Sequence, residues 1–291
     1  MVVSDCNLWG EVVAKYTGND GDNSYAGSDS ADVIRGLGGK DALNGNGGAD
    51  YIYGGNGPDL IIGYTGNDNL YGENDYDYIS GGSGKDKIYG GNGNDTIFGD
   101  IDSAYVGVVK SQGFDDFIDG GDGDDDIYGD GFFGIGGNDT ILGGSGRDTI
   151  YAGIGDDKVD GGLGDDKIEG ESGNDVLTGG RGADNLRGGS GRDIFVYTSI
   201  LDSKRSAYDS ISDFRASDFD KIDLSKIDAN SVNGKSDDAF VFIGKSEFSG
   251  AAGELRFAGG LLQGDTNGDA KADIVIALIG VTSLSASRLI L

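Results

Sequence analysis

Apolar residues recur along most of this chain with a period of nine, one to each repeat. The column runs Tyr25, Ile34, Leu43, Ile52, Ile61, Leu70, Ile79, Ile88 and Ile97. It resumes at Ile118 and Ile127, then continues through Ile141, Ile150, Val159, Ile168, Leu177, Leu186 and Phe195. Polar or aromatic residues flank many of them, such as Tyr51 and Tyr53 around Ile52, or Lys87 and Tyr89 around Ile88. No helical face has this spacing, whereas a short strand sends alternate side chains to opposite faces. The pattern predicts short strands with the apolar residue pointing inward, each preceded by a turn over the other six residues of the repeat. Two strand-turn units make one coil of a parallel β-solenoid, and coils stack with aligned turns. Turns two repeats apart then lie side by side on one edge.

Those turns carry acid. Seventeen aspartates stand two residues ahead of the apolar column: Asp32, Asp41, Asp50, Asp59, Asp68, Asp77, Asp86 and Asp95; Asp116 and Asp125; and Asp139, Asp148, Asp157, Asp166, Asp175, Asp184 and Asp193. The full form, G-G-x-G-x-D-x-U-x with U apolar, appears at Gly81–Tyr89, Gly90–Phe98 and Gly143–Tyr151. Glycine in such turns permits positive φ and close backbone approach. Aspartates of neighbouring turns would face one gap, with turn carbonyls pointing into it. Oxygen-only ligands suit a hard cation of flexible geometry, hence Ca²⁺ over Mg²⁺ or Zn²⁺. Some units depart from the form: Ser30, Asp75 and Phe114 replace the fourth-position glycine, Asn23 heads the column in place of aspartate, and Pro58 precedes Asp59.

Charge supports a need for cations. The chain of 291 residues has 51 acidic and 22 basic side chains, a formal charge of −29. Such a polyanion repels nucleic acid and anionic membranes, and repels itself when compact. No run is long and apolar enough for a transmembrane helix. With one cysteine, Cys6, no intrachain disulfide can form. Residues 1–16 show no cleavable export leader. The chain has no histidine, which excludes H-E-x-x-H zinc proteases and Ser-His-Asp hydrolases, and it has no G-x-S-x-G elbow. The GKS triplets at Gly234–Ser236 and Gly244–Ser246 have alanine (Ala229, Ala239) where a phosphate loop needs glycine, and read as ordinary turns.

These repeats resemble the RTX (repeats-in-toxin) family. The resemblance implies an all-β fold, a right-handed parallel β-roll with one Ca²⁺ between each pair of stacked turns, on the order of ten ions here. It implies that the seventeen aspartates are side-chain ligands. It further implies that carbonyls of the turn glycines Gly82, Gly84, Gly91, Gly93, Gly121, Gly123, Gly144, Gly146, Gly162 and Gly164 complete the shell. A thin core and strong self-repulsion suggest a roll that folds only with calcium.

The register breaks near 100–115 and 129–138, where Tyr105, Val106, Val108, Val109, Phe114, Phe132, Phe133 and Ile135 cluster. They either cover each other or form one apolar protrusion for an extracellular partner. After residue 198 the repeat gives way to ordinary alternation, with candidate strands Lys221–Leu224, Ala239–Ile243, Glu254–Phe257, Leu261–Gln263 and Ile274–Ile279 in a small antiparallel domain. The expected domains are an N-terminal cap segment over 1–16, with Trp9, the roll over 17–198, and the C-terminal domain over 199–291. Asp265–Asp273 echoes an EF-hand-like loop, but Ala270 replaces its glycine and no glutamate closes it; it reads as a hairpin connection.

The segment from Gly191 resembles the C-terminal domain of serralysin-type metalloproteases, through GRDIFVY at Gly191–Tyr197, DKIDLS at Asp220–Ser225, FSGAAGELRF at Phe248–Phe257, QGDTNGDAKAD at Gln263–Asp273 and GVTSLSAS at Gly280–Ser287. This implies export by a type I (ABC transporter) system, to the extracellular space or the cell surface. The catalytic half of that family is missing, so the chain reads as non-enzymatic. The leading expectation is a calcium-folded secretion module. The alternatives are the non-catalytic C-terminal part of a secreted metalloprotease or polysaccharide-modifying enzyme, or a surface adhesin or structural solenoid.

Overall fold

The computed structural model describes residues 2–6, 12–100, 114–130, 136–234 and 238–291, the first stretch and 12–14 as backbone alone. Contacts group the chain into two compact units, Met1–Lys158 and Val159–Leu291.

In the first unit each repeat contributes one strand, and alternate strands go to two parallel sheets. One sheet holds Val33–Gly38, Tyr51–Asn56, Asn69–Asn74, Lys87–Asn92, Phe117–Asp122 and Thr140–Ser145; the other holds Ala42–Gly47, Leu60–Thr65, Tyr78–Ser83, Thr96–Asp100, Asp126–Tyr128 and Thr149–Ile154. The register sets apolar residue on apolar residue: Ile52 on Leu70, Leu70 on Ile88, Ile88 on Ile118, Ile118 on Ile141. From Ile34 to Ile150 this column is at most 1 % exposed. Tyr51 and Tyr53 point outward, as the alternation requires. Outward tyrosines stack coil on coil, Tyr53 on Tyr71 at 4.8 Å and Tyr71 on Tyr89 at 4.9 Å between ring centroids. Such pairs stabilise beyond their buried area by about 0.5–1.5 kcal/mol each.

The strands are longer and the turns shorter than the repeat suggests. Lys87–Asn92 runs through both glycines of the next unit, so that only 93–95 turn the chain before Thr96–Asp100. The reason lies in the stack: Gly91 pairs in register with Glu73 on one side and Gly121 on the other, so the glycines form ladder rungs. The insertions leave this register intact, since Ile97 still meets Ile127. Val2–Cys6 pairs antiparallel with Val12–Thr17, which pairs parallel with Val33–Gly38. Trp9 and the insertion residues, Phe114 excepted, lie outside the described residues.

The second unit continues the same construction. Ile168 meets Leu186, Leu177 meets Phe195, and beyond the last repeat Leu186 meets Ile211 and Phe195 meets Ile222. An antiparallel meander follows, Glu254–Ala258, Leu261–Asp265 and Ile274–Leu278. Its last strand pairs parallel with Asp209–Ile211. The short strands Asp209–Ile211 and Leu289–Ile290 were not expected from alternation; each has two or three residues and owes its place to pairing. Among the described residues no helix is long and apolar enough to cross a membrane.

Candidate metal centre

Each repeat aspartate is the last residue of its turn, and the strand behind it holds the carboxylate inward. All seventeen are at most 4 % exposed. They form ladders. The Asp50 amide donates to Asp68 Oδ1 at 2.8 Å, Asp68 to Asp86, and Asp59 and Asp77 do the same to Asp77 and Asp95, always 18 residues on. The insertions are bridged without loss: Asp86 donates to Asp116 Oδ1 and Asp116 to Asp139 Oδ1, both at 2.8 Å. Asn23 joins the head of its ladder, donating to Asp41 Oδ1 at 2.7 Å. In the second unit Asp166 donates to Asp184 and Asp175 to Asp193.

One carboxylate oxygen is thus used by the backbone. The other is buried and accepts no hydrogen bond in Asp41, Asp50, Asp59, Asp68, Asp77, Asp86, Asp95, Asp116, Asp125, Asp139 and Asp184. A carbonyl lies beside it. A methyl placed on Gly90 would stand 2.4 Å from both Asp95 Oδ2 and the Gly120 carbonyl, so these oxygens are neighbours; Gly45 is flanked likewise by Asp50 Oδ2 and the Gly63 carbonyl. The first glycine of the repeat therefore lies against this pair of oxygens, beside the second and fourth glycines expected from the sequence. Those ten glycines, Gly82 to Gly164, have φ between 98° and 146°, the second glycine at the end of a strand and the fourth in the turn after it. The Gly93 carbonyl aims at Gly123, whose missing side chain would stand 1.6 Å from it. Only glycine fits such an approach.

Ion pairs among the described residues include acids outside the ladder, such as Asp115 with Lys85 and Glu169 with Lys167. In the metal-free protein burial pushes several of these carboxyls up. Burial raises Asp77 to about 8, with the charges of Asp95, Asp59 and Asp75 adding and the Asp59 amide opposing. Burial raises Asp50 and Asp86 to about 7, and Asp116, pressed also by Asp86, to about 10. Buried anions without countercharge are costly, and a cation relieves that cost. Among the described residues no three acidic side chains gather around one point. An ion between coils therefore draws on few carboxylates and needs carbonyls as well, a donor set of hard oxygens that fits Ca²⁺.

Four acids escaped the nine-residue count. Asp100 and Asp130 stand at second-glycine positions where the insertions begin, and Asp100 is 1 % exposed. Asp209 and Asp220 extend the ladders beyond the last repeat: Asp184 donates to Asp209 Oδ1 at 3.0 Å and Asp193 to Asp220 Oδ1 at 3.1 Å. The signal available was D-x-U alone, in Asp209-Ser-Ile211 and Asp220-Lys-Ile222, without glycine turns before it. The Asp265–Asp273 loop joins two strands of the meander. Asp265 accepts from the Asn267, Gly268 and Ala270 amides, and Asp273 from Thr266 and Asn267, so both carboxylates serve the turn.

The RTX calcium-binding nonapeptide repeat model matches residues 17–52, 44–79, 77–103, 109–132, 133–168 and 161–195. No curated protein matches the chain. A solved structure, the AlgE6R3 subunit of the Azotobacter vinelandii mannuronan C5-epimerase, is similar with 25% identity over 50% of this chain and 78% of that one, at a TM-score of 0.37. With its repeats matched over more than half its length, the chain belongs to the RTX calcium-binding nonapeptide repeat family.

Proposed function

We propose that the seventeen repeat aspartates hold calcium ions between successive coils, with glycine carbonyls of the turns completing the shell, and that the roll folds as the ions bind. One observation carries this reading: along the ladders, buried carboxylates such as those of Asp50, Asp77, Asp86 and Asp95 each keep a second oxygen that accepts no hydrogen bond, beside a carbonyl of the neighbouring coil. Each gap with a Kd near 0.1 mM would contribute about 1.4 kcal/mol at about 1 mM calcium. Such a module is inert where calcium is scarce and assembles where it is plentiful.

That behaviour suits a protein carried out of a cell unfolded. The serralysin-like motifs from Gly191 onward support export by a type I system to the extracellular space. The chain then acts as a calcium-folded structural module, with no catalytic group of its own assigned. Isothermal titration of the metal-stripped chain, with circular dichroism at each step, tests the reading. On the order of ten ions and a parallel gain of β-structure are expected. Full β-structure in excess EGTA at neutral pH would refute it.

A further inference from the structure

In a chain of formal charge −29, three cations stand together without acids to meet them. Arg192, Lys221 and Arg288 line an open cleft of about 650 Å³ on the outward side of the last strands, with Ile194, Phe219 and Ile290 as its apolar wall. Among the described residues none of these three basic side chains forms an ion pair. The acids next to them in sequence are engaged elsewhere. Asp193 and Asp220 are buried, Asp218 pairs with Arg215, and Asp223 accepts the Ser225 amide. Phe219 holds an unfavourable place. It is 60 % exposed and stands at φ 72°, a left-handed backbone that strains a bulky side chain. The Arg288 guanidinium lies over its ring, 4.9 Å from the centroid. A ring kept in solvent by a strained backbone adds nothing to the core, and strain of this kind concentrates where ligands are met.

We propose that this cleft binds a short acidic peptide segment carrying a large apolar side chain. The cleft crosses three neighbouring strands, Ile194–Val196, Lys221–Asp223 and Leu289–Ile290. Two steps between strands span about 10 Å, which an extended chain of about three residues matches. Its volume lies within the roughly 300–1,000 Å³ of ligand clefts. Guanidinium and ammonium groups without partners select carboxylates. Phe219, Ile194 and Ile290 select an apolar side chain, which neither inorganic phosphate nor a sugar unit offers. The charge of the whole molecule sets the length. A long polyanion would extend over a body of charge −29 and be repelled, whereas a short segment meets the three cations alone. This site stands apart from the calcium reading of the repeats.

Fluorescence anisotropy with the full chain in calcium tests this, using a labelled peptide that alternates aspartate with phenylalanine. The peptide should bind, and should bind more weakly when asparagine replaces its aspartates or alanine its phenylalanines. Arg192→Gln and Lys221→Gln should each weaken binding about tenfold, the loss expected for one charge-assisted contact. Arg147→Gln, an exposed change in the first unit, should leave binding as it is. Phe219→Gly removes the ring and relaxes the backbone, so binding should weaken while the urea midpoint holds or rises. If Phe219→Gly fails to fold, Arg192→Gln and Lys221→Gln decide the matter, since neither side chain belongs to the core. A peptide that does not bind, or that binds the wild type and these two variants equally, overturns the proposal. So does equal binding after loss of its aspartates, or an equal loss in Arg147→Gln. Displacement of the peptide by inorganic phosphate or an acidic oligosaccharide at equal concentration would assign the cleft to those ligands instead. Self-association in sedimentation that Arg192→Gln abolishes would assign it to a second copy, and either result overturns the peptide.

Discussion

Replacing Asp77 by asparagine should change stability in opposite directions with and without calcium. Asp77 is fully buried, accepts the Asp59 amide at 2.8 Å through Oδ1 and donates to Asp95 Oδ1, leaving Oδ2 without a partner. Asparagine keeps the shape and the Oδ1 bond and removes the charge. In EGTA the wild-type carboxyl is raised to about 8, mainly by burial. A raised pKa means that its contribution is fully present below the unfolded value of about 3.9 and is lost as pH rises through the folded value. The amide has no such loss, so the metal-free variant should stay folded to higher pH. With calcium the sign reverses. Asp77 faces two gaps, toward Asp59 and toward Asp95. Losing one or both sites at about 1 mM calcium costs about 1.4 to 3 kcal/mol. Urea denaturation at pH 7.5 with 1 mM calcium, and a pH titration in EGTA, both followed by far-ultraviolet circular dichroism, read the two effects. An aspartate that merely forms a turn predicts near-neutrality in both buffers, because asparagine suits turns as well. The same sign in both buffers would refute the argument.

Other outcomes follow from the same geometry. In EGTA the whole chain should gain β-structure on acidification from pH 8 to 5, because Asp50, Asp77, Asp86, Asp125 and Asp139 are all raised to about 7 or 8 by burial, and stability is lost as pH rises through that window; a chain that stays unfolded at pH 5 contradicts this. Gly123→Ala should cost about 3 kcal/mol or more in calcium, since φ is 146° and the new methyl would stand 1.6 Å from the Gly93 carbonyl; urea melts showing a loss below 1 kcal/mol would exclude the close approach. Ile88→Ala should lose about 2–5 kcal/mol by opening the fully buried column, and differential scanning calorimetry at saturating calcium reads that loss.

The coil, the inward column and the aspartate edge were legible because each has a period. Every ninth residue faces the same environment, so one repeat instructs all the others. What lay hidden has no period. The glycines Gly90 and Gly91 looked like turn residues, yet they pair as strand because a neighbour coil supplies the ladder. The first glycine's part in the site came from packing across coils, which no single repeat displays. Asp265 and Asp273 show the converse. Their spacing resembled a calcium loop, yet local amides take their oxygens first.

Register, then, is carried by the rung and not by the length of chain between rungs. Asp68 reaches Asp86 across 18 residues, Asp86 reaches Asp116 across 30, and Asp184 reaches Asp209 across 25, with contacts of 2.8, 2.8 and 3.0 Å. Closing a longer loop is cheap, about 0.6 kcal/mol for each doubling of its length. Burying an aspartate out of register is not, because its carboxylate would lose the amide that holds it. Insertions are therefore tolerated at turns, while the D-x-U start of a strand is kept. This accounts for a family match that stops at residue 195 while the ladder continues to Asp220. A nine-residue template counts spacing, whereas the fold counts carboxylates that find an amide one coil away.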